Sequence, residues 1–165
     1  MGGFVVMYSN GPANWGAGFL KIVPESSHEA ESAIASRATK ATCFIRQLII
    51  NNGLKLYGPT PMLGDNDALY KTVRQEGHSA RVRYYERATL LFKRAVLLLI
   101  LSAFKISDLD MAADIFTKPV EKAKFIRMRD YIMNVHSTLR GSIEDAMTCA
   151  VGASHRMMSN LLQRL

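Results

Sequence analysis

The chain opens on a short apolar, β-rich run, Phe4 to Tyr8, followed by Ser9-Asn10-Gly11-Pro12. Trp15 to Val23 reads as a return strand, weakened by Gly16 and Gly18 and ended by Pro24. Asn-Gly between two apolar runs predicts a hairpin. The period then changes: Ala30, Ile34, Ala38 (or Ala41), Ile45 and Leu48 recur at helical spacing. Ser26-Ser27-His28-Glu29 reads as a capping box opening this helix, with Ser26 as N-cap, and Asn52-Gly53 supplies its stop. The small alanines predict close packing against a sheet.

Further on, Pro59 to Leu63 predicts a short strand, and Asp65 an N-cap for a helix from Asn66 to about Gln75, ended by Gly77. A basic segment with Arg81, Arg83, Arg87, Lys93 and Arg94 follows. The unbroken apolar run Val96 to Phe104 fits either a buried strand or a core helix. Asp108 to Phe116 reads as helical, Pro119 interrupts it, and a second basic helix runs through Met133. This order predicts an α/β layered domain over residues 1–134. Residues 135–165 turn to Ser, Gly, Thr and Ala, with a short amphipathic piece from Ser154 to Leu165, and read as an appended tail.

Composition narrows the picture. A chain of 165 residues, 48% of them hydrophobic, holds one domain with a core. A formal net charge of +7 favours a polyanionic partner such as nucleic acid. Cys43 and Cys149 lie far apart with no CxxC or Cys/His pairing, which excludes a disulfide framework or zinc site by spacing and suits a reducing compartment. No signal peptide is read at the N-terminus, and the longest apolar run, Ala95 to Leu101, falls well short of the roughly 20 residues a membrane span needs. The expected location is cytoplasmic or nuclear.

Three carboxylates occupy predicted element ends: Glu29 in the first turn of a helix, Asp65 just after a strand, and Asp114 in a late helix. Strand ends and helix starts are where an α/β sheet places its site. Carboxylates gathered there repel one another unless a cation neutralises them, and hard oxygen ligands select Mg²⁺ or Mn²⁺. Each residue also has a second reading: Glu29 closing a capping box, Asp65 capping a helix, Asp114 standing as a solvated helix residue.

Several segments together resemble the ribonuclease H domain of copia-type retrotransposons. Ser26-Ser27-His28-Glu29-Ala30-Glu31 resembles that family's SSTEAE motif, and Ala38-Thr39-Lys40-Ala41 through Phe44-Ile45-Arg46-Gln47-Leu48 its ATKEALWLRRLL helix. Gly64-Asp65-Asn66-Asp67-Ala68 is similar to CDNQSA, and Ala113-Asp114-Ile115-Phe116-Thr117-Lys118-Pro119 equals ADIFTKP residue for residue. Phe125 to Asp130 resembles FERLRD, and Trp15 stands where the family has its strand tryptophan. The resemblance covers about Gly3 to Met133.

The resemblance implies a ribonuclease H-like mixed sheet flanked by helices, lacking its first strand. It implies hydrolysis of the RNA strand of RNA–DNA hybrids with two Mg²⁺ or Mn²⁺ ions, within a Pol polyprotein that also carries a reverse transcriptase and works in a virus-like particle. Glu29, Asp65 and Asp114 would be its catalytic, metal-binding carboxylates, with Glu29 rather than Glu31 as the catalytic one of that pair. Arg81, Arg83, Arg87, Lys118, Lys122 and Lys124 would contact nucleic acid, giving salt-dependent, sequence-independent affinity. The departures matter as much. The family's first aspartate lies on a strand before the region matching Gly3, and nothing between Met1 and Pro24 is acidic. A basic stretch after the family's tryptophan is replaced by Gly16 to Leu20. The pattern around His78 to Arg87 is degraded, with His78 either the family's histidine or a surface one. The chain is therefore expected to be inactive as it stands. The alternatives are a non-catalytic nucleic-acid-binding relic and an unrelated α/β interaction domain.

Overall fold

A computed structural model describes residues 1–20, 27–66 and 86–135. The predicted hairpin is present as β1 (Gly2–Tyr8) and β2 (Gly11–Gly18), paired antiparallel. Its turn is Ser9-Asn10, one residue earlier than the Asn-Gly signal, and both residues take positive φ (49° and 64°). That left-handed pair suits the right-handed twist of the flanking strands. The register puts Gly16 opposite Phe4, whose ring lies where a side chain at Gly16 would project. The register shifts by one residue opposite the Val6–Met7 step, where Ala13 is the extra, unpaired residue of a bulge on β2. The return strand stops at Gly18, short of the predicted Val23, and residues 21–26, including the Ser26 cap, lie outside the described residues.

Helix α1 (Ser27–Asn51) is the long helix the apolar period predicts. It ends as Asn52-Gly53 foretold. Gly53 takes φ +75°, its amide bonds to Ile50 O (2.9 Å), and the Leu54 amide bonds to Ile49 O (3.1 Å). This is a Schellman closure, in which a left-handed residue lets two amides turn back onto orphan carbonyls. The buried stripe of α1 differs from the predicted one. It runs through Ser32, Ala35, Ser36, Thr39, Thr42 and Ile49, while Leu48 is exposed. Small hydroxylic residues permit close approach, and Thr39 satisfies its own hydroxyl by donating to Ala35 O (2.7 Å).

Strand β3 (Thr60–Gly64) pairs parallel with β4 (Leu101–Lys105). The ambiguous run Val96 to Phe104 is divided between the two candidates. Helix α2 (Glu86–Leu97) ends in a second Schellman closure, with Leu99 at φ 54° and the Ile100 amide on Ala95 O (2.9 Å), and β4 starts at once. A tight cap thus converts one apolar run into a helix end and a buried strand. Asp108 to Phe116 is not one helix but two short 3₁₀ helices, Asp108–Asp110 and Ala112–Phe116, the first capped by Ser107. Helix α3 (Lys122–Ile132) follows. The predicted helix after Asp65, its stop at Gly77, and the tail beyond 135 lie outside the described residues.

Side-chain alternation orders the layers. On β3, Met62 packs with Ala35, Phe92, Ala95, Leu101 and Ala103, which belong to α1, α2 and β4. Its neighbour Leu63 packs with Val5, Ala112, Met128 and Ile132. Successive strand residues point to opposite faces, so α1 and α2 cover one face and the second 3₁₀ helix with α3 covers the other. The fold is mixed α/β. The single mixed sheet expected from the resemblance is instead two two-stranded sheets among the described residues, β1–β2 and β3–β4. Between them, over α1, runs an open groove of about 270 Å³ lined on one side by Val6 to Tyr8 and on the other by Pro59 to Pro61. Arg46 ties its floor to the β3 side by donating to Gly58 O (3.0 Å) and Thr60 Oγ1 (2.8 Å).

Candidate functional site

Parallel pairing sends β3 and β4 in one direction, and the residues just beyond their carboxyl ends fall side by side. Gly64 O accepts from the Ile106 amide (2.9 Å), so Asp65 and the segment leading to Asp108 leave the sheet together. The start of α1 comes to the same end. Glu31 accepts a hydrogen bond from the Asn66 side chain and lies within electrostatic reach of Asp65. Partial burial, with a smaller contribution from Asp65, pushes the Glu31 carboxyl above the usual range despite the Asn66 hydrogen bond. Two of the motif segments, one on α1 and one after β3, therefore meet.

Within the first motif, Glu31 is brought near Asp65 and Asn66. Glu29 stands two residues earlier, half-buried in the first turn of α1. The sequence signal for Glu31 was available, since the acidic pair of the SSxEAE-like motif contains both. Spacing alone does not rank them.

Asp114 is not the solvated helix residue that one reading allowed. It is buried at the start of the second 3₁₀ helix, which abuts β1: a β-carbon on Gly3 would lie 2.7 Å from Thr117 Cγ2. Its Oδ2 accepts from two ammonium groups, Lys124 Nζ at 2.6 Å and Lys118 Nζ at 2.9 Å. The same lysines bridge to Asp108, at 3.2 Å each. Hydrogen bonds from Lys124, then Lys118, hold the exposed Asp108 carboxyl below its ordinary range, and the Asp114 contact raises the Lys118 ammonium. Next to them, Arg127 donates to the Leu109 carbonyl and pairs with Asp110 (3.2 Å).

Of the predicted nucleic-acid contacts, Arg81 and Arg83 lie outside the described residues, as does the side chain of Arg87, on the first turn of α2. Lys122 is exposed at the start of α3, Lys118 is half-exposed, and Lys124 is only 13% exposed, turned onto the aspartates. Trp15, on β2, is 61% exposed.

Among the described residues no three acidic, histidine or cysteine side chains gather closely enough to hold a metal. Asp114, which the resemblance makes a ligand, already has two positive charges on one oxygen. In comparisons with family models, curated proteins and solved structures, the chain matches none of them.

Proposed function

We propose that the chain is part of a ribonuclease H-like domain of the copia-type retrotransposon class, and that in this form it binds RNA–DNA hybrid or other nucleic acid without cutting it. The observation that carries the reading is the meeting of Glu31 with Asp65 and Asn66. The two segments resemble two motifs of one family, are separated in sequence, and come together where an α/β sheet places its site. The family's activity is Mg²⁺- or Mn²⁺-dependent hydrolysis of RNA in hybrids, alongside the reverse transcriptase of the same polyprotein.

Binding is favoured by the +7 net charge and by exposed cations such as Lys122, because neutralising phosphates needs no catalytic carboxylate. Cutting is disfavoured by Asp114 being held by two lysines. The groove between β1 and β3 is where a further strand bearing the family's first aspartate would pair. Among the described residues β1 pairs only with β2 and β3 only with β4. The test is a hybrid-duplex assay with Mg²⁺ or Mn²⁺ that follows binding by fluorescence anisotropy and cleavage on gels. Binding without cleavage is expected. Efficient cleavage by the 165-residue chain, or no binding at low salt, overturns the reading.

A further inference from the structure

Lys124 sits in a set of oxygens of the kind that would otherwise hold a hard cation. Its Nζ donates to Asp108 O (2.7 Å), Asp108 Oδ2 (3.2 Å) and Asp114 Oδ2 (2.6 Å). An ammonium has three protons, and these three oxygens take them all. Lys124 and Asp114 side chains are only 13% and 11% exposed, so the pair is largely withdrawn from water. Lys118 adds a second ammonium to the same Asp114 oxygen. A divalent ion prefers carboxylate and carbonyl oxygens of this type, and to reach them it would have to displace Lys124.

We propose that Lys124 is the built-in cation of the Asp108–Asp114 corner, so that this corner forms without metal and Asp114 is not a divalent-ion ligand in this chain. The inference stands on the ion geometry and is independent of the nuclease reading. Helix position supports it. A lysine in the first turn of a helix meets the positive end of the helix dipole. α3 has no acidic residue in its first turn, and its N-cap, Glu121, makes no side-chain cap hydrogen bond, so Asp108 and Asp114 add negative charge beside Lys124 from outside the helix. Arg127, three residues further along α3, repeats the device on the Leu109 carbonyl and the Asp110 carboxylate. The two cations together fasten α3 to the segment that follows β4.

The test uses the full chain and reads its thermal midpoint with and without millimolar Mg²⁺ or Mn²⁺ at matched ionic strength, with free Mn²⁺ followed by electron paramagnetic resonance. The wild-type midpoint is expected not to respond to either ion, and wild type and Asp114→Asn are expected to leave the same free-Mn²⁺ signal. Lys124→Ala is expected to lower the midpoint by several degrees and to regain it with Mn²⁺, whereas Lys124→Ala with Asp114→Asn does not respond. Mn²⁺ stabilisation of the wild type that disappears in Asp114→Asn overturns the proposal. So does a Lys124→Ala midpoint that is unchanged, or one that falls and ignores Mn²⁺. If Lys124→Ala does not fold, the comparison of wild type with Asp114→Asn decides. Failure to bind hybrid duplex touches none of these readouts.

Discussion

Glu31 lies between two requirements, since its partial burial disfavours the charge that ordinary pH gives it. The sign of the pH effect follows from the raised carboxyl. Below the unfolded pKa of about 4.3 both states are protonated and Glu31 costs nothing. As pH rises through the higher folded value, the unfolded chain ionises more readily and stability is lost. Glu31→Gln keeps an oxygen to accept from Asn66 and removes the charge. It is therefore expected to raise the urea midpoint at pH 7, with the gain shrinking as pH falls toward about 4. An undiminished gain at acid pH would show that desolvated charge is not the cause. Its neighbour Ser32 is buried with its hydroxyl lacking a hydrogen-bond partner among the described residues. Ser32→Ala removes an unsatisfied group and is expected to stabilise by about 1 kcal/mol in denaturant melts. A loss of stability would mean the hydroxyl is bonded after all.

At the scale of elements, the helix ends set the boundaries. α1, α2 and α3 close the same way, through Gly53, Leu99 and Asn134 at positive φ, with amides of Leu54, Ile100 and Val135 reaching back five residues. Only the first carries glycine, which adopts that conformation freely, and only the first was legible as a stop. Nothing within 4 Å would obstruct a β-carbon at Gly53. Gly53→Ala thus tests backbone conformation rather than crowding, and about 1 kcal/mol of destabilisation is expected from equilibrium unfolding. A neutral result would mean that the closure tolerates an alanine at φ +75° without strain. Leu99 explains why the run around it was ambiguous: a leucine in the left-handed region leaves no compositional mark between helix and strand.

On the scale of the whole molecule, the helices cover both faces of a β layer that is split in two by a groove. Each sheet has an edge without ladder partners among the described residues, and such edges accept added strands. Supplying an upstream strand with an aspartate is expected to raise the thermal midpoint as well as to test for cleavage; an unchanged midpoint would argue against pairing in the groove. Binding to hybrid duplex is expected to weaken steeply with salt, because a protein neutralising several phosphates releases several counterions. Lys122→Ala is expected to reduce that salt slope by about 1 and leave sequence preference unchanged. An unaltered slope would place Lys122 away from the bound backbone.

What could be read along the chain is what neighbours in sequence decide. The hairpin, the extent of α1 with its glycine stop, a short strand near residue 60, and a basic helix after Pro119 all rest on local turns, caps and periodicity. Even there the turn falls one residue earlier, on Ser9-Asn10, because Tyr8 pairs with Gly11 and takes Gly11 into the return strand. The buried face of α1 was misread because serine and threonine are polar by composition, yet small enough to be buried where a helix approaches its neighbours closely. Burial of Asp114, its capture by Lys118 and Lys124, and the approach of Glu31 to Asp65 and Asn66 join residues far apart along the chain or on separate elements. Those choices depend on which surfaces come together and how much water they exclude, and only the tertiary structure decides them.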